Sequence, residues 1–178
     1  MMHALIVGAQ GVGKSTLIQK VLGELKLPVS GYETKKEDSL ADPELGTPIY
    51  IYPAGKEHLP APDRLLGYRC CKNPATYPDA FDRFAERMNA EQDRGIVLLD
   101  EIGFMESGAE SFCSAILRKL DGSVPVIAAV KNMDTPFLCR VREHPNCRCF
   151  YIDEENRDAL YTEVLTWMKD VLAARTSE

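Results

Sequence analysis

From Gly8 to Thr16 the chain reads GAQGVGKST, in which Gly8, Gly13, Lys14 and Ser15 satisfy the spacing G-x4-G-K-[ST]. Such a run can turn the backbone N–H groups from Ala9, Gln10, Gly11 and Val12 through Gly13 inward on the oxygens of a β-phosphate, while the helix that follows adds the positive end of its dipole. Side chains at the glycines would block that approach. Lys14 would neutralise the β- and γ-phosphates as a point charge, and the Ser15 hydroxyl would enter the shell of a magnesium ion. Thr16, one residue deeper, reaches toward the α-phosphate. The ligand that this chemistry suits is a nucleoside triphosphate with its Mg2+.

Magnesium keeps several waters and takes few protein ligands, so a carboxylate at a strand end is the expected second anchor. The run IVLLDE supplies Asp100 after four apolar residues, a Walker-B-like pattern. Glu101 beside it decides the type of reaction, because hydrolysis needs a group that polarises a water in line with the γ-phosphate. Neighbouring strand residues point to opposite faces, so both acids face one ligand only if the chain is already turning at Glu101, which Ile102-Gly103 permits. Lys131 follows the strand VIAAV and would sense the γ-phosphate if that strand lies beside the Asp100 strand. Arg140, Arg142 and Arg157 are the candidates for stabilising transition-state charge.

The elements that must hold these groups are read from periodicity. HALIV is a short β-rich run, and Leu17, Ile18, Val21, Leu22 and Leu25 then fall on one helical face before Pro28: strand, glycine loop, helix. PVSGYE reads as a second strand. Between Gly31 and Pro78 the pattern loosens, with TPIYIYPAG and RLLGYRCC as strands of a small β-hairpin-like insertion. Phe81, Phe84, Ala85 and Met88 mark a helix from Pro78, and GIVLLDEIG suits a strand buried on both faces. Ser107 with Glu110 reads as a capping box opening a helix through Phe112, Ile116 and Leu120 to Gly122. VPVIAAV is another buried strand, Thr135-Pro136 starts a short helix, RCFYI is the last strand, and Leu160, Val164, Met168 and Val171 stripe a closing helix. Strands alternating with helices predict an α/β fold, a mostly parallel sheet covered on both faces, with residues 1–178 as one domain.

A chain of 178 residues buries roughly 70% of its unfolded surface, enough for one ordinary core. No run is long enough to span a membrane, and MMHALIVG lacks a basic leader, so the expected location is the cytoplasm. A net charge of -6 disfavours nucleic acid as a partner, leaving Lys35-Lys36 and the stretch Arg140, Arg142, Arg148 as the only dense basic groups. The six cysteines are expected to stay reduced there. Cys70-Cys71 with Cys147 and Cys149 lack the usual zinc-ligand spacing.

The segments GAQGVGKSTLI, VSGYETKKE, LLDEIGFME and DEENRDAL together resemble the cancer-related nucleoside-triphosphatases, small P-loop NTPases also found in thermophilic prokaryotes. The first segment is shared by many P-loop enzymes, whereas DEIGFME and ENRD are more specific. The resemblance implies a RecA-like sheet and magnesium-dependent hydrolysis of nucleoside triphosphates to diphosphates with broad base tolerance. It sets Gly8 through Thr16 on the phosphates and Asp100 and Glu101 on metal and water. It also matches Glu106 and the pair Asn156-Arg157, the latter for base or phosphate contacts. The chain departs from the family where GYETKKED carries Lys36 and Asp38 in place of an acidic residue and an arginine, and the following arginine-glycine pattern is missing around GTPIYIY. Two other functions use the same loop: a kinase passing the γ-phosphoryl to a nucleotide or small molecule under an Arg140–Arg142 lid, and a nucleotide-binding switch without catalysis.

Overall fold

The computed structural model describes residues 2–69 and 75–175. Along the chain run β1 (His3–Gly8), α1 (Lys14–Leu25), β2 (Val29–Lys36), β3 (Thr47–Pro53), β4 (Leu65–Arg69), β5 (Ala75–Thr76), α2 (Pro78–Ala90), β6 (Ile96–Ile102), α3 (Glu110–Asp121), β7 (Val126–Lys131), α4 (Pro136–Arg142), β8 (Cys147–Tyr151) and α5 (Arg157–Arg175). The eight strands form one sheet in the order β5-β4-β3-β2-β6-β7-β1-β8. From β2 to β8 every neighbouring pair is parallel, and β3, β4 and β5 continue the sheet antiparallel beyond β2. The segments TPIYIYPAG and RLLGYRCC thus supply strands that extend the main sheet.

Alternation along the strands divides the apolar residues between two cores. Leu5 and Val7 of β1, with Val97, Leu99 and Tyr32, pack against Phe81, Phe84 and Met88 of α2 and Phe112, Ile116 and Leu120 of α3. Ala4 and Ile6, with Leu98 and Ile127, pack against Ile18 and Val21 of α1 and Val164 and Met168 of α5. Burial on both faces is why β1 and β7 read as near-continuous apolar runs.

The start of α3 corrects the capping-box expectation. Ser107 lies in a short 3-10 turn, Met105–Gly108, and the residue before α3 is Ala109. The helix N-terminus is satisfied from elsewhere in the chain: the Phe112 N–H donates to Asp82 Oδ1 of α2 at 3.1 Å. A carboxylate from the neighbouring helix takes the place that a local hydroxyl would have filled. Thr135 does cap α4, its hydroxyl accepting the Leu138 N–H at 3.2 Å.

Two arginines of the basic stretch after β7 are paired locally, Arg142 with Asp134 at 2.6 Å and Arg148 with Glu163 at 2.7 Å. Cys70 and Cys71 lie outside the described residues, and Cys147 and Cys149 are free thiols on β8. Among the described residues no helix is long and apolar enough to cross a membrane.

His3 ties two elements together at the opposite end of β1 from the glycine loop. Its Nε2 meets the Leu120 carbonyl at 2.9 Å and its Nδ1 accepts the Val126 N–H at 3.1 Å, which fixes one neutral tautomer. Burial pushes its pKa down to about 4. A depressed histidine contributes stability that is complete above about 6.5 and is lost as pH falls toward about 4, because the unfolded chain takes up the proton first. The expected contribution is about 3 kcal/mol. An NMR titration of the His3 ring checks this, and a midpoint near the ordinary histidine value would refute it.

Candidate functional site

The parallel strands deliver their carboxyl ends to one edge, where ligands of open α/β sheets bind. Gly8 closes β1 there, and a Cβ on it would stand 2.6 Å from Ile152 Cγ2 and 2.8 Å from the Ile152 carbonyl oxygen. Only glycine lets β1 end so close to the chain leaving β8. Gly13 has φ +105°, a left-handed turn immediately before α1 that a side chain would strain. Lys14 is the first residue of α1, yet its ammonium folds back to donate to the carbonyls of Gly8 at 3.0 Å and Ala9 at 2.8 Å. It also pairs with Glu101 Oε2 at 3.0 Å, and Lys14 is only 4% exposed. Ser15 Oγ donates to Asp100 Oδ1 at 2.9 Å across 85 positions of sequence.

Both acids reach the glycine loop, by a device different from the expected turn. β6 runs on through Ile102, but its ladder with β7 pairs Asp100 with Ala129 and Ile102 with Val130, leaving Glu101 out. The extra residue is a bulge, which re-aims its side chain. The Glu101 N–H is taken by Thr34 Oγ1 of β2 at 3.2 Å. β7 does lie between β1 and β6, so Lys131 stands in register with Gly8 and its Nζ comes 3.4 Å from Glu101 Oε1. The same ammonium sits 4.6 Å from the centre of the Phe104 ring, whose face favours the cation. Glu101 is therefore clasped by two lysines, Lys14 and Lys131.

The deeper carboxylates are held in reluctant ionisation. Burial pushes Asp100 up to about 6, against the Ser15 hydrogen bond and the Lys35 charge that draw it down. Its Oδ2 is buried without a hydrogen-bond partner, one of two such side-chain atoms among the described residues. The other is the Tyr32 hydroxyl, whose titration is pushed well up by burial and by the nearby Glu106 charge. Glu106, in the 3-10 turn after β6, is buried and accepts the Gly103 N–H, and burial raises it to about 7.

Two hollows flank the glycine loop. One is an open cleft of about 710 Å³ with Gln10 and Ser15 at one end, which passes Asp100, Glu101 and Lys131 and continues to Lys36, Ile49, Leu66 and Phe81. The other, about 910 Å³, lies on the far side of Gly13, with Thr16, Lys20, Arg157 and Tyr161 in its wall. Arg157 begins α5, and its Cδ would be 3.4 Å from a Cβ on Gly13. Its guanidinium has no hydrogen bond or ion pair among the described residues. Asn156 is engaged within its own loop, donating to the Tyr151 carbonyl at 2.9 Å and accepting the Asp153 N–H at 3.0 Å. Arg142 is likewise committed, to the Met133 carbonyl and Asp134, both at 2.6 Å, and neither Arg140 nor Arg142 lines the cleft. Thr34 and Phe104 escaped the reading of the sequence, since nothing local marks a threonine 67 positions from the N–H it accepts.

A protein-family model described as NTPase matches residues 3–165. The "Nucleoside-triphosphatase THEP1" of Thermotoga maritima is 30% identical over 171 residues, covering 94% of this chain and 96% of that protein. The "Cancer-related nucleoside-triphosphatase homolog" of Bos taurus is 26% identical, with 94% and 96% covered. The crystal structure of THEP1 from Aquifex aeolicus superposes with a TM-score of 0.70 at 21% identity, covering 94% of this chain and 99% of that one. The solution structure of a human cancer-related nucleoside triphosphatase gives 0.65 at 23%, with 93% and 96% covered. At those identities the structures establish the fold, a P-loop NTPase α/β sheet.

Proposed function

The chain belongs to the NTPase family, and from that premise we propose that it is a magnesium-dependent hydrolase of nucleoside triphosphates, releasing diphosphate and inorganic phosphate. The observation that carries this reading is the clasp of Glu101 by Lys14 at 3.0 Å, at the mouth of the glycine loop. It brings a phosphate-binding cation and a water-activating carboxylate to one point. Residues 1–178 are taken as one domain, working in the cytoplasm on a free nucleotide, with neither nucleic acid nor membrane as partner.

The amides of Gly8 through Thr16 bind the polyphosphate, and Lys14 gives up Glu101 for phosphate oxygens as it enters. Glu101, released on that side and still near Lys131, orients a water in line with the terminal phosphorus and accepts its proton. Lys131 offsets charge gathering on the transferred group. Arg157 and Thr16 attend the nucleoside side, beyond Gly13; the Asn156 amide serves by holding the loop that presents Arg157. Magnesium fits the remaining donors: the Ser15 hydroxyl and the orphaned Asp100 Oδ2 are hard oxygen ligands, and an ion there would relieve a buried carboxylate that lacks a partner. When bound, it neutralises charge on the β- and γ-phosphate oxygens.

The test is phosphate release from ATP, GTP, CTP and UTP, with no acceptor present, in magnesium and in chelator. Steady multiple turnover that stops in chelator supports the proposal, and tight binding without release would replace it with a nucleotide switch. Thr34 supplies a finer check, because its hydroxyl accepts the Glu101 N–H and so fixes the backbone that aims the carboxylate. Thr34→Val is expected to lower kcat roughly 5-fold with little change in KM, and Thr34→Ser to restore it. A valine variant with native kcat would dismiss that positioning role.

A further inference from the structure

The cleft continues beyond Glu101, past the point where an attacking water would sit. It is an open cleft with only Gln10 and Ser15 of the glycine loop at one end, and past Asp100, Glu101 and Lys131 it runs on to Lys36, Ile49, Leu66 and Phe81. The nucleoside side of the loop is served by the separate hollow at Gly13 and Thr16. A nucleotide laid along the loop would put its terminal phosphate at the Ser15 and Asp100 end, and the end of the cleft at Lys36 and Ile49 lies beyond it. The walls there suit an organic molecule: the half-buried Ile49 and Met105 line it above the buried Leu66 and Phe81, and Phe104 at the rim is 41% exposed. Lys36, also in the wall, is exposed and has no ion pair among the described residues. An apolar floor, a free cation and a carboxylate base are the usual components of a small-molecule site.

We propose that this cleft is a second-substrate site and that the protein also transfers the terminal phosphoryl group to the hydroxyl of a small molecule with a planar apolar body and an anionic substituent. The inference rests on the nucleotide occupying the glycine loop as described above. The planar body lies between Ile49 and Phe104, and the anion meets Lys36. The hydroxyl oxygen forms a bond to the γ-phosphorus as the bond from that phosphorus to the β-bridging oxygen breaks. The electron pair leaves with the diphosphate, and the hydroxyl proton passes to Glu101 and then to solvent. With the acceptor seated, water is displaced from the in-line position.

The probe is 4-(hydroxymethyl)benzoate, added to the full chain with ATP and magnesium. ADP is expected to exceed released phosphate, with a phosphomonoester appearing by phosphorus NMR. Benzoate, which has the body and the anion but no nucleophile, is expected to slow phosphate release. Lys36→Ala should raise the concentration of 4-(hydroxymethyl)benzoate needed for half-maximal transfer about tenfold. Equal yields of ADP and phosphate at every probe concentration, with no effect of benzoate, overturn the proposal. Transfer that proceeds equally to benzyl alcohol and is indifferent to Lys36→Ala overturns the anion assignment. Phosphate release without any probe reads the hydrolase on its own, so the two conclusions can fail separately.

Discussion

Glu101→Gln is expected to bind magnesium nucleotide at least as tightly as the native chain and to turn it over at least about 100-fold more slowly, the range of a lost general base. The two halves of that expectation have separate physical origins. Turnover falls because an amide cannot accept the proton of the attacking water. Affinity is preserved because Glu101 occupies the Lys14 ammonium at 3.0 Å before the ligand arrives. The native site must break that ion pair to free the lysine for phosphate, whereas the glutamine variant has only a neutral contact to give up. Lys131, 3.4 Å from the other carboxylate oxygen, is released in the same way. Calorimetry for binding and phosphate release for turnover read the two halves independently. Native turnover in the glutamine variant would remove Glu101 from the reaction.

Lys14→Ala is expected to fail at both steps, with binding weaker by about 100-fold and turnover below detection alongside it. The magnitude follows from losing a charge-assisted hydrogen bond to phosphate in a water-poor setting. Lys14 is 4% exposed, so no solvent cation takes up its position readily. The substitution also strips the Gly8 and Ala9 carbonyls of their shared donor and leaves Glu101 with Lys131 alone. Lys14→Arg distinguishes charge from fit: a guanidinium keeps the charge but cannot fold into the space that the compact ammonium fills between two carbonyls, so it is expected to rescue little. Unimpaired binding and turnover in the alanine variant would overturn the phosphate assignment of the whole glycine loop. A thermal melt of each variant without nucleotide separates loss of the site from loss of the fold.

The glycine loop was legible because its chemistry is local. Nine consecutive residues carry the amides, the lysine and the hydroxyl, and the strand before them and the helix after them are each announced by their own apolar period. The parallel sheet was legible for a related reason, since strands buried on both faces must be apolar throughout, as β1, β6 and β7 are up to their ends. Asp100 stood out as a candidate ion ligand because it follows such an apolar run. Where the sequence misled, a distant group had displaced a local one. Ser107 and Glu110 have the spacing of a cap, but Asp82 of α2 reaches the helix first. Asn156 is a different case: its partners are local, and its amide braces the loop between β8 and α5.

The amino-acid order by itself thus determined the glycine loop between strand and helix, the run of buried strands and the acidic pair, because each is written in side-chain types over a few neighbouring positions. Only the tertiary structure decided how they meet. Strand order set β7 between β1 and β6, which brought Lys131 to the acid pair, and a one-residue slip in the β6 ladder turned Glu101 onto Lys14. Register and strand order arise from the sum of packing on both faces of the sheet, a long-range quantity that no short stretch of sequence encodes. The cleft beside Glu101, walled by β2, β3, β4 and α2, exists for the same reason.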